Sequence, residues 1–271
     1  MKKFLILNRM TKIFFLFVAV FCLSIPVSGQ FSIVSVNSLL SVDDFDSFNG
    51  SGFAPSPALG QLDSDTWSTT GWSNGDLDFG ETETTAMTDF TRGTDSNSVT
   101  TGGVYAFDIG TGDFTLGAQP GGSDFTPGDF RLALVNDTGT TITSLTLSYS
   151  IAVYNDQARG NSFNFSYGSD NVSYASISSL DFTSGEAADG SPTWVTTTRN
   201  ATIAGLSIAS GSNYYFKWEG GDVSGSGNRD QFGLNDVIVG ANMIPEPSTY
   251  ALIFGGIALG VVVWKRRRTA T

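Results

Sequence analysis

The chain has 271 residues, of which 26 are acidic and 14 are basic, and it contains no histidine and one cysteine. The absence of histidine excludes Ser-His-Asp and Cys-His nucleophiles in their usual form, and it excludes His-ligated zinc sites. Between Gln30 and Met243 there are 25 acidic but only six basic residues, a net charge of −19. Such a surface repels phosphate groups, so we expect no nucleic-acid partner.

Residues 1–29 are typical of a secretion signal. Four basic residues in the first 12 positions precede an apolar stretch at 13–23, and small residues follow it. Val27 and Gly29 suit a signal-peptidase site, which places the mature N-terminus near Gln30. The only cysteine, Cys22, precedes this site, so the mature chain has neither a disulfide framework nor a thiol catalyst.

Residues 30–243 show the pattern of short β-strands and no sustained helical period. Gly, Ser, Thr, Asn and Asp recur every few residues and form turn clusters between alternating segments. The alternating segments are Gly103–Asp108, Arg131–Val135, Leu145–Ile151, Phe163–Tyr167, Trp194–Thr198, Tyr214–Trp218 and Asp236–Val239. We predict one all-β domain over 30–243, an antiparallel β-sandwich of jelly-roll type.

Three segments of this domain resemble the first, middle and last strands of extracellular jelly-roll modules. They are Val42–Phe48, Ser144–Ile151 and Phe232–Val239. Carbohydrate-binding modules of this shape often end in a similar Asn/Asp-Asp-hydrophobic strand. The resemblance supports the fold and leaves the ligand open.

A calcium site is expected where the first and last strands of such a module lie near each other. Calcium prefers six to eight oxygen ligands, which acidic loops provide. We predict that Asp43, Asp44 or Asp46 joins Asp236, with Asn235 as a further candidate, to hold a structural calcium ion. The alternative is that these residues cap turns and edge strands. We expect no other cofactor.

Trp67 and Trp72 lie in the least regular part of the domain. Both rings can stack on sugars, so we predict that they form a ligand surface. The alternative is that they pack in the core or at its rim, as tryptophans of a sandwich commonly do.

Paired carboxylates are the remaining route to catalysis, because glycosidases use two of them. Asp76 and Asp78, and likewise Glu81 and Glu83, are two residues apart. The glycines and threonines around them indicate a solvated acidic loop instead. We therefore predict a protein that is not an enzyme, with a secreted carbohydrate-active enzyme as the alternative.

The last 28 residues have three parts. Pro245, Glu246 and Pro247 come first, then an apolar segment over 250–264, and then Lys265, Arg266, Arg267 and Arg268. The apolar segment is about 22 Å long as a helix, so a single short membrane span is predicted, with the basic cluster on the cytoplasmic side. A plain membrane anchor is one interpretation.

In the order and position of these parts, residues 244–271 resemble the PEP-CTERM sorting signal of Gram-negative bacteria that make extracellular polysaccharide. This resemblance implies that an exosortase-like membrane peptidase recognises the tail and removes or exchanges it near Pro-Glu-Pro. Two prolines favour an extended peptide there, which a protease requires.

Together these features predict an exported protein that passes through the inner membrane as an anchored precursor. Signal peptidase and an exosortase-like peptidase are its expected partners, and the cell surface or extracellular matrix is its expected location. We expect a structural, adhesive or carbohydrate-binding role in extracellular polysaccharide, such as a biofilm matrix.

Overall fold

A computed structural model describes residues 29–243 and 257–259 of the chain. These residues form 16 strands and one short 3-10 turn, Ser178–Leu180. The strands are β1 (Phe31–Ile33), β2 (Leu39–Asp43), β3 (Phe53–Ala54), β4 (Leu62–Asp63), β5 (Trp67–Trp72), β6 (Gly75–Leu77), β7 (Thr94–Asp95), β8 (Gly103–Gly110), β9 (Asp113–Gln119), β10 (Gly128–Asn136), β11 (Ile142–Tyr154), β12 (Arg159–Gly168), β13 (Ala175–Ser176), β14 (Trp194–Ile208), β15 (Asn213–Gly225) and β16 (Gln231–Asn242).

Two seven-stranded sheets account for most of these strands. Sheet A has the order β13-β12-β15-β10-β5-β6, with β1 also paired to β10. Sheet B has the order β14-β11-β16-β9-β8-β7, with β2 also paired to β16. Most pairs are antiparallel, and β1–β10, β3–β4 and β7–β8 are parallel. From β9 onwards the longer strands alternate between the two sheets, so each connection between consecutive long strands passes from one sheet to the other.

The two sheets face each other across one aromatic core. Tyr149 of sheet B meets Trp218 of sheet A edge to face, with ring centroids 5.4 Å apart. Phe163 of sheet A stacks on Phe232 of sheet B at 5.9 Å. All four side chains are fully buried. Because the inner faces of the two sheets pack on each other through these rings, the result is a two-layered β-sandwich.

The all-β prediction is confirmed, and all seven alternating segments lie within strands. The opening segment is corrected. The prediction placed a strand over Val42–Phe48, but β2 ends at Asp43 and a turn follows. Phe45 has a positive φ of 59°, which ends the extended backbone, and its ring turns into the core beside Trp67.

The predicted signal peptide and sorting tail lie almost entirely outside the described residues. Of the apolar segment 250–264, only residues 257–259 are described, and they are helical. Within the described ranges, no helix has the length and apolar character needed to span a membrane.

Candidate functional site

The outward face of sheet A carries a row of polar and aromatic side chains. Along β15, Phe216 and Trp218 point into the core, so Tyr215, Lys217 and Glu219 point outward. On β12, Ser166 lies opposite Lys217. The alternation along β12 and β15 therefore gathers these side chains on the face that is turned away from the core.

Two oppositely charged pairs sit at the centre of this face. Arg131 lies directly opposite Lys217, and Asp129 lies opposite Glu219. Like charges opposite one another are unfavourable, but each cation is neutralised along its own strand. Arg131 Nε is 2.8 Å from Asp129 Oδ1, and Lys217 Nζ is 2.5 Å from Glu219 Oε2. Burial opposes ionisation of Arg131, yet the hydrogen bond and charge of Asp129 hold its pKa above the ordinary value.

Tyr174 covers part of this face from the segment before β13. The Lys217 ammonium lies 4.9 Å from the centroid of its ring, a cation–π contact. The Tyr174 hydroxyl bonds to Asn171 Oδ1 at 2.5 Å. Burial raises the pKa of Tyr174, so its hydroxyl stays protonated and can act as both donor and acceptor.

Tyr174, Lys217 and Glu219 line a depression of about 280 Å³, which we call the sheet-A depression. The ring of Tyr174, an amide, hydroxyls and charged groups meet there, so the surface is polar with one accessible aromatic ring. The lining residues that bear on recognition are Asn164, Ser166, Tyr174, Asp181, Lys217 and Glu219. Beyond it on the same face, Phe79 and Tyr215 pack with ring centroids 5.8 Å apart.

A larger cavity, about 650 Å³, lies beside the β14–β15 hairpin. Its lining includes three serines, Asn213, Tyr214 and Tyr215, and no charged side chain contributes to it. We choose the sheet-A depression as the candidate because charged groups, an amide and hydroxyls meet there beside the ring of Tyr174.

The residues predicted to bind calcium are partly brought together. β2 pairs with β16, with Asp43 opposite Val237, so the opening and closing strands are neighbours as expected. Burial is the largest cause that raises the pKa of Asp236, and the charges of Asp113, Asp44 and Asp46 raise it further. Within 29–243 and 257–259, no three acidic, histidine or cysteine side chains are grouped closely enough to hold a metal ion.

Two of these carboxylates, Asp43 and Asp44, also have a local capping role. Asp43 Oδ1 accepts the Phe45 N–H at 2.8 Å, and Asp44 Oδ1 accepts the Asp46 N–H at 3.2 Å. Burial raises the pKa of Asp43 to about 6, and the charge of Asp44 adds to the rise, while the Phe45 N–H opposes it. Trp67 also opposes it, although its indole nitrogen does not reach hydrogen-bonding geometry.

Asn235 and Asp113 extend this group. Asn235 Nδ2 donates to Asp113 Oδ1 at 2.7 Å. Asp113 is at the start of β9 and was not among the predicted ligands, because nothing in its local sequence links it to the chain ends. A register shift in β16 gives Asp236 a positive φ of 51° and leaves it exposed between buried Asn235 and Val237.

Trp67 and Trp72 do not form a ligand surface, which corrects the prediction. Their exposed fractions are 1% and 5%. Trp67 packs between Phe45 and Trp218, with ring centroids 5.2 Å and 6.0 Å away. Trp72 packs on Phe125 at 5.0 Å. Neither ring presents a face to a sugar.

The carboxylates considered for catalysis lie in or beside the loop after β6. Asp76, Asp78 and Glu81 are exposed. Glu81 accepts the Asp78 N–H at 2.9 Å, and Glu83 accepts the Thr85 N–H at 3.2 Å. These contacts are loop caps and agree with the solvated acidic loop.

Sequence reasoning missed the residues of the sheet-A depression. Lys217 lies inside the predicted strand Tyr214–Trp218, and the alternation itself indicated that it points away from the core. No sequence pattern indicated which way Tyr174 points, since it precedes a two-residue strand in an irregular segment.

Comparisons with known proteins found no matching protein family and no similar curated protein. Among solved structures, the enzymatically active domain of tailspike protein 4 of bacteriophage CBA120 is 7% identical with a TM-score of 0.34, covering 66% of this chain and 20% of that one. The N-terminal cellulose-binding domain of Cellulomonas fimi β-1,4-glucanase C is 16% identical with a TM-score of 0.31, covering 67% and 91%. The K3 cleaved adhesin domain of Lys-gingipain from Porphyromonas gingivalis is 13% identical with a TM-score of 0.32, covering 50% and 79%. TM-scores this low identify neither a common function nor a ligand.

Proposed function

We propose that this protein is an exported matrix or cell-surface protein that binds neutral polysaccharide through the sheet-A depression, without turnover. The observation that carries the proposal is the meeting of Tyr174 with Asn164, Ser166, Lys217 and Glu219 in one solvent-accessible depression. Sugars have apolar ring faces and many hydroxyl groups. An aromatic ring beside paired donors and acceptors complements both.

The charge balance favours a neutral sugar. Lys217 is paired with Glu219, and Arg131 with Asp129, so the cations on the face are already neutralised. Asp181 adds a negative charge to the depression. An anionic chain would meet this charge and the acidic surface of the domain, which disfavours its approach.

The export and sorting parts of the proposal are supported by the sequence of the two ends. A signal at 1–29 and a tail with Pro245–Pro247, an apolar segment and a basic cluster would deliver the sandwich beyond the inner membrane. We interpret the sandwich as jelly-roll-like, because its longer strands alternate between the two sheets. Mass spectrometry of the mature C-terminus tests the sorting. A terminus near Pro247 only in the presence of an exosortase supports it, and an intact Trp264–Thr271 tail in both hosts refutes it.

A structural calcium ion near Asp44, Asp46 and Asp236 is a separate part of the proposal. Its support is the pairing of β2 with β16, which makes the acidic opening segment a neighbour of the closing strand. The Asp236→Asn variant should lose any calcium-dependent rise in melting temperature that originates at this site.

Binding is tested with the purified full-length protein and soluble neutral polysaccharides in affinity electrophoresis. Tyr174→Ala should weaken binding at least about tenfold, the equivalent of roughly 1.4 kcal/mol, because stacking area is lost. The matched control is Asn200→Ala, an exposed polar residue on the edge strand β14 of the other sheet. Equal affinities for wild type, Tyr174→Ala and Asn200→Ala would contradict the assignment of the site.

An enzyme acting on polysaccharide is the second candidate, and one observation favours it. Asp181 and Glu219 line the same depression, so two carboxylates face one potential substrate. Release of reducing ends by the wild type, abolished in Asp181→Asn and Glu219→Gln, would establish turnover. Binding without release of reducing ends supports the non-enzymatic proposal.

A further inference from the structure

A group of polar side chains lies near the starts of β12 and β16, apart from the stretch of β16 that pairs with β2. We call it the Asp230 cluster and define it by Asn155, Asp156, Asn161, Ser184 and Asp230. Asp230 is 0% exposed and Asn161 is 1% exposed. Buried Asp is rare unless it is paired, so its surroundings require an explanation.

Hydrogen bonds join the segments of the cluster in pairs. Asp230 Oδ1 accepts the Gln157 N–H at 3.1 Å. Ser184 and Asn161 bond reciprocally: Ser184 Oγ accepts the Asn161 N–H at 3.1 Å, and the Ser184 N–H donates to the Asn161 carbonyl at 2.8 Å. Ser184 also lies close enough to Asp230 to lower its pKa, although burial raises it more. These contacts bring the segments around 155–157, 161, 184 and 230 into one region.

Several oxygens in this site have no partner among the described residues. They are Asn155 Oδ1, Asp156 Oδ1, Asn161 Oδ1 and Asp230 Oδ2, and each is inaccessible to solvent. Among the five residues of the cluster, Asn161 Nδ2 is the only buried side-chain nitrogen without a hydrogen-bond partner. Leaving one such buried group unsatisfied costs about 1–3 kcal/mol, and more for a charged one. The excess of acceptors over donors indicates that a positive species is required.

The charges of the cluster also favour a bound cation. The carboxylates of Asp156 and Asp189 act on Asp230, and burial is the largest cause of its raised pKa. In the described part of the chain, none of these three carboxylates forms an ion pair with a lysine or arginine. Arg229 is adjacent in sequence, but its Nη2 donates to the Gly121 carbonyl instead.

We propose that the Asp230 cluster binds one calcium ion. Two carboxylates, Asp156 and Asp230, and two amide oxygens, from Asn155 and Asn161, would supply four ligands, with carbonyls or water completing the set. The donors are all oxygens, three of them from loop residues and one from Asn161 near the start of β12. Calcium accepts such an irregular oxygen set, whereas magnesium and zinc disfavour it. A water molecule alone could satisfy the acceptors but would leave the buried charge uncompensated.

The test compares thermal unfolding of the full-length protein in mild detergent, in a calcium chelator and in excess calcium. At calcium about a hundredfold above the dissociation constant, mass action should raise the melting temperature by about 5–10 °C. Calorimetric titration should give calcium binding to the wild type. Asp230→Asn should lose the part of the response that originates at the cluster while remaining folded, because it removes a buried unpaired charge. Asp156→Asn is a second variant at a half-buried position.

Asp236→Asn is the matched control, since it alters the β2–β16 junction and leaves the cluster intact. A calcium response that persists in Asp236→Asn and is clearly smaller in Asp230→Asn and Asp156→Asn than in the wild type supports the proposal. A response reduced only in Asp236→Asn would place the ion at the other site and overturn it. No response in the wild type, or one of wild-type size in Asp230→Asn, would also overturn it.

Discussion

Gly220 leaves the space that Phe125 occupies in the core, so Gly220→Ala should destabilise the protein. A Cβ at Gly220 would lie 2.3 Å from Phe125 Cε1 and 2.5 Å from Cδ1. Gly220 does not have a positive φ, so the alanine itself introduces no backbone strain. The whole expected effect is therefore a steric collision within β15.

Phe125 has little freedom to move away. Its ring is 1% exposed and lies 5.0 Å from Trp72 and 5.2 Å from Phe130. Its backbone N–H is held by the Gly71 carbonyl at 2.6 Å. Overpacking of a rigid core costs about 1–3 kcal/mol. For a chain of this size that corresponds to about 2–4 °C in melting temperature for each kcal/mol.

Urea unfolding followed by tryptophan fluorescence measures the effect. Gly221→Ala is the control, because its Cβ would point to the outer face, with a serine hydroxyl at 3.2 Å as its nearest neighbour. Phe125→Leu combined with Gly220→Ala should recover stability relative to the sum of the single changes. Equal stabilities for Gly220→Ala and Gly221→Ala, or strict additivity in the double variant, would refute the steric explanation.

Three further changes test other parts of the fold. Asp43→Asn should remove a pH dependence: the folded pKa of about 6 exceeds the unfolded value of 3.8, so the native state binds more protons and wild-type stability falls as pH rises from about 4 to 6. Chemical unfolding across that range in chelator should show a flatter curve for the variant, and parallel curves would contradict the pKa. Asn136→Ala should cost about 1–3 kcal/mol by thermal unfolding, because Asn136 is 1% exposed and donates to two backbone carbonyls at 2.7 Å and 2.8 Å. Arg159→Ala should cost less than about 1 kcal/mol, since its ion pair with Asp222 is partly solvated; a larger loss would indicate that the pair is structurally essential.

The sequence predicted the regular strands well and the irregular ones poorly. Phe163–Tyr167 alternates without interruption and lies inside β12. Trp67 and Trp72 were assigned to a surface because their segment shows no alternation. Gly71 has a φ of 85° and the register shifts between Thr69 and Trp72, so both rings face inward although they are five residues apart. A bulge of this kind changes which face a residue occupies.

The candidate sites were only partly accessible from sequence. The adjacency of the opening and closing strands followed from resemblance, and the β2–β16 pairing confirms it. The burial of Asn161 and Asp230 could not be anticipated, since both occur among turn-forming residues that usually lie at the surface. Their environment is decided by the packing of the start of β12 against the loops that carry Ser184 and Asp230, and no local pattern encodes that.

The position of β16 also determines how the domain responds to mechanical load. It is the last strand before the tail, and it is bonded on one side to β11 and on the other to β2 and β9. Tension applied at Met243 runs along this strand and loads its ladders in shear, so many hydrogen bonds must break together. An edge strand such as β14 would instead peel open one bond at a time. A tether attached after β16 therefore pulls on the part of the sandwich best able to resist extension.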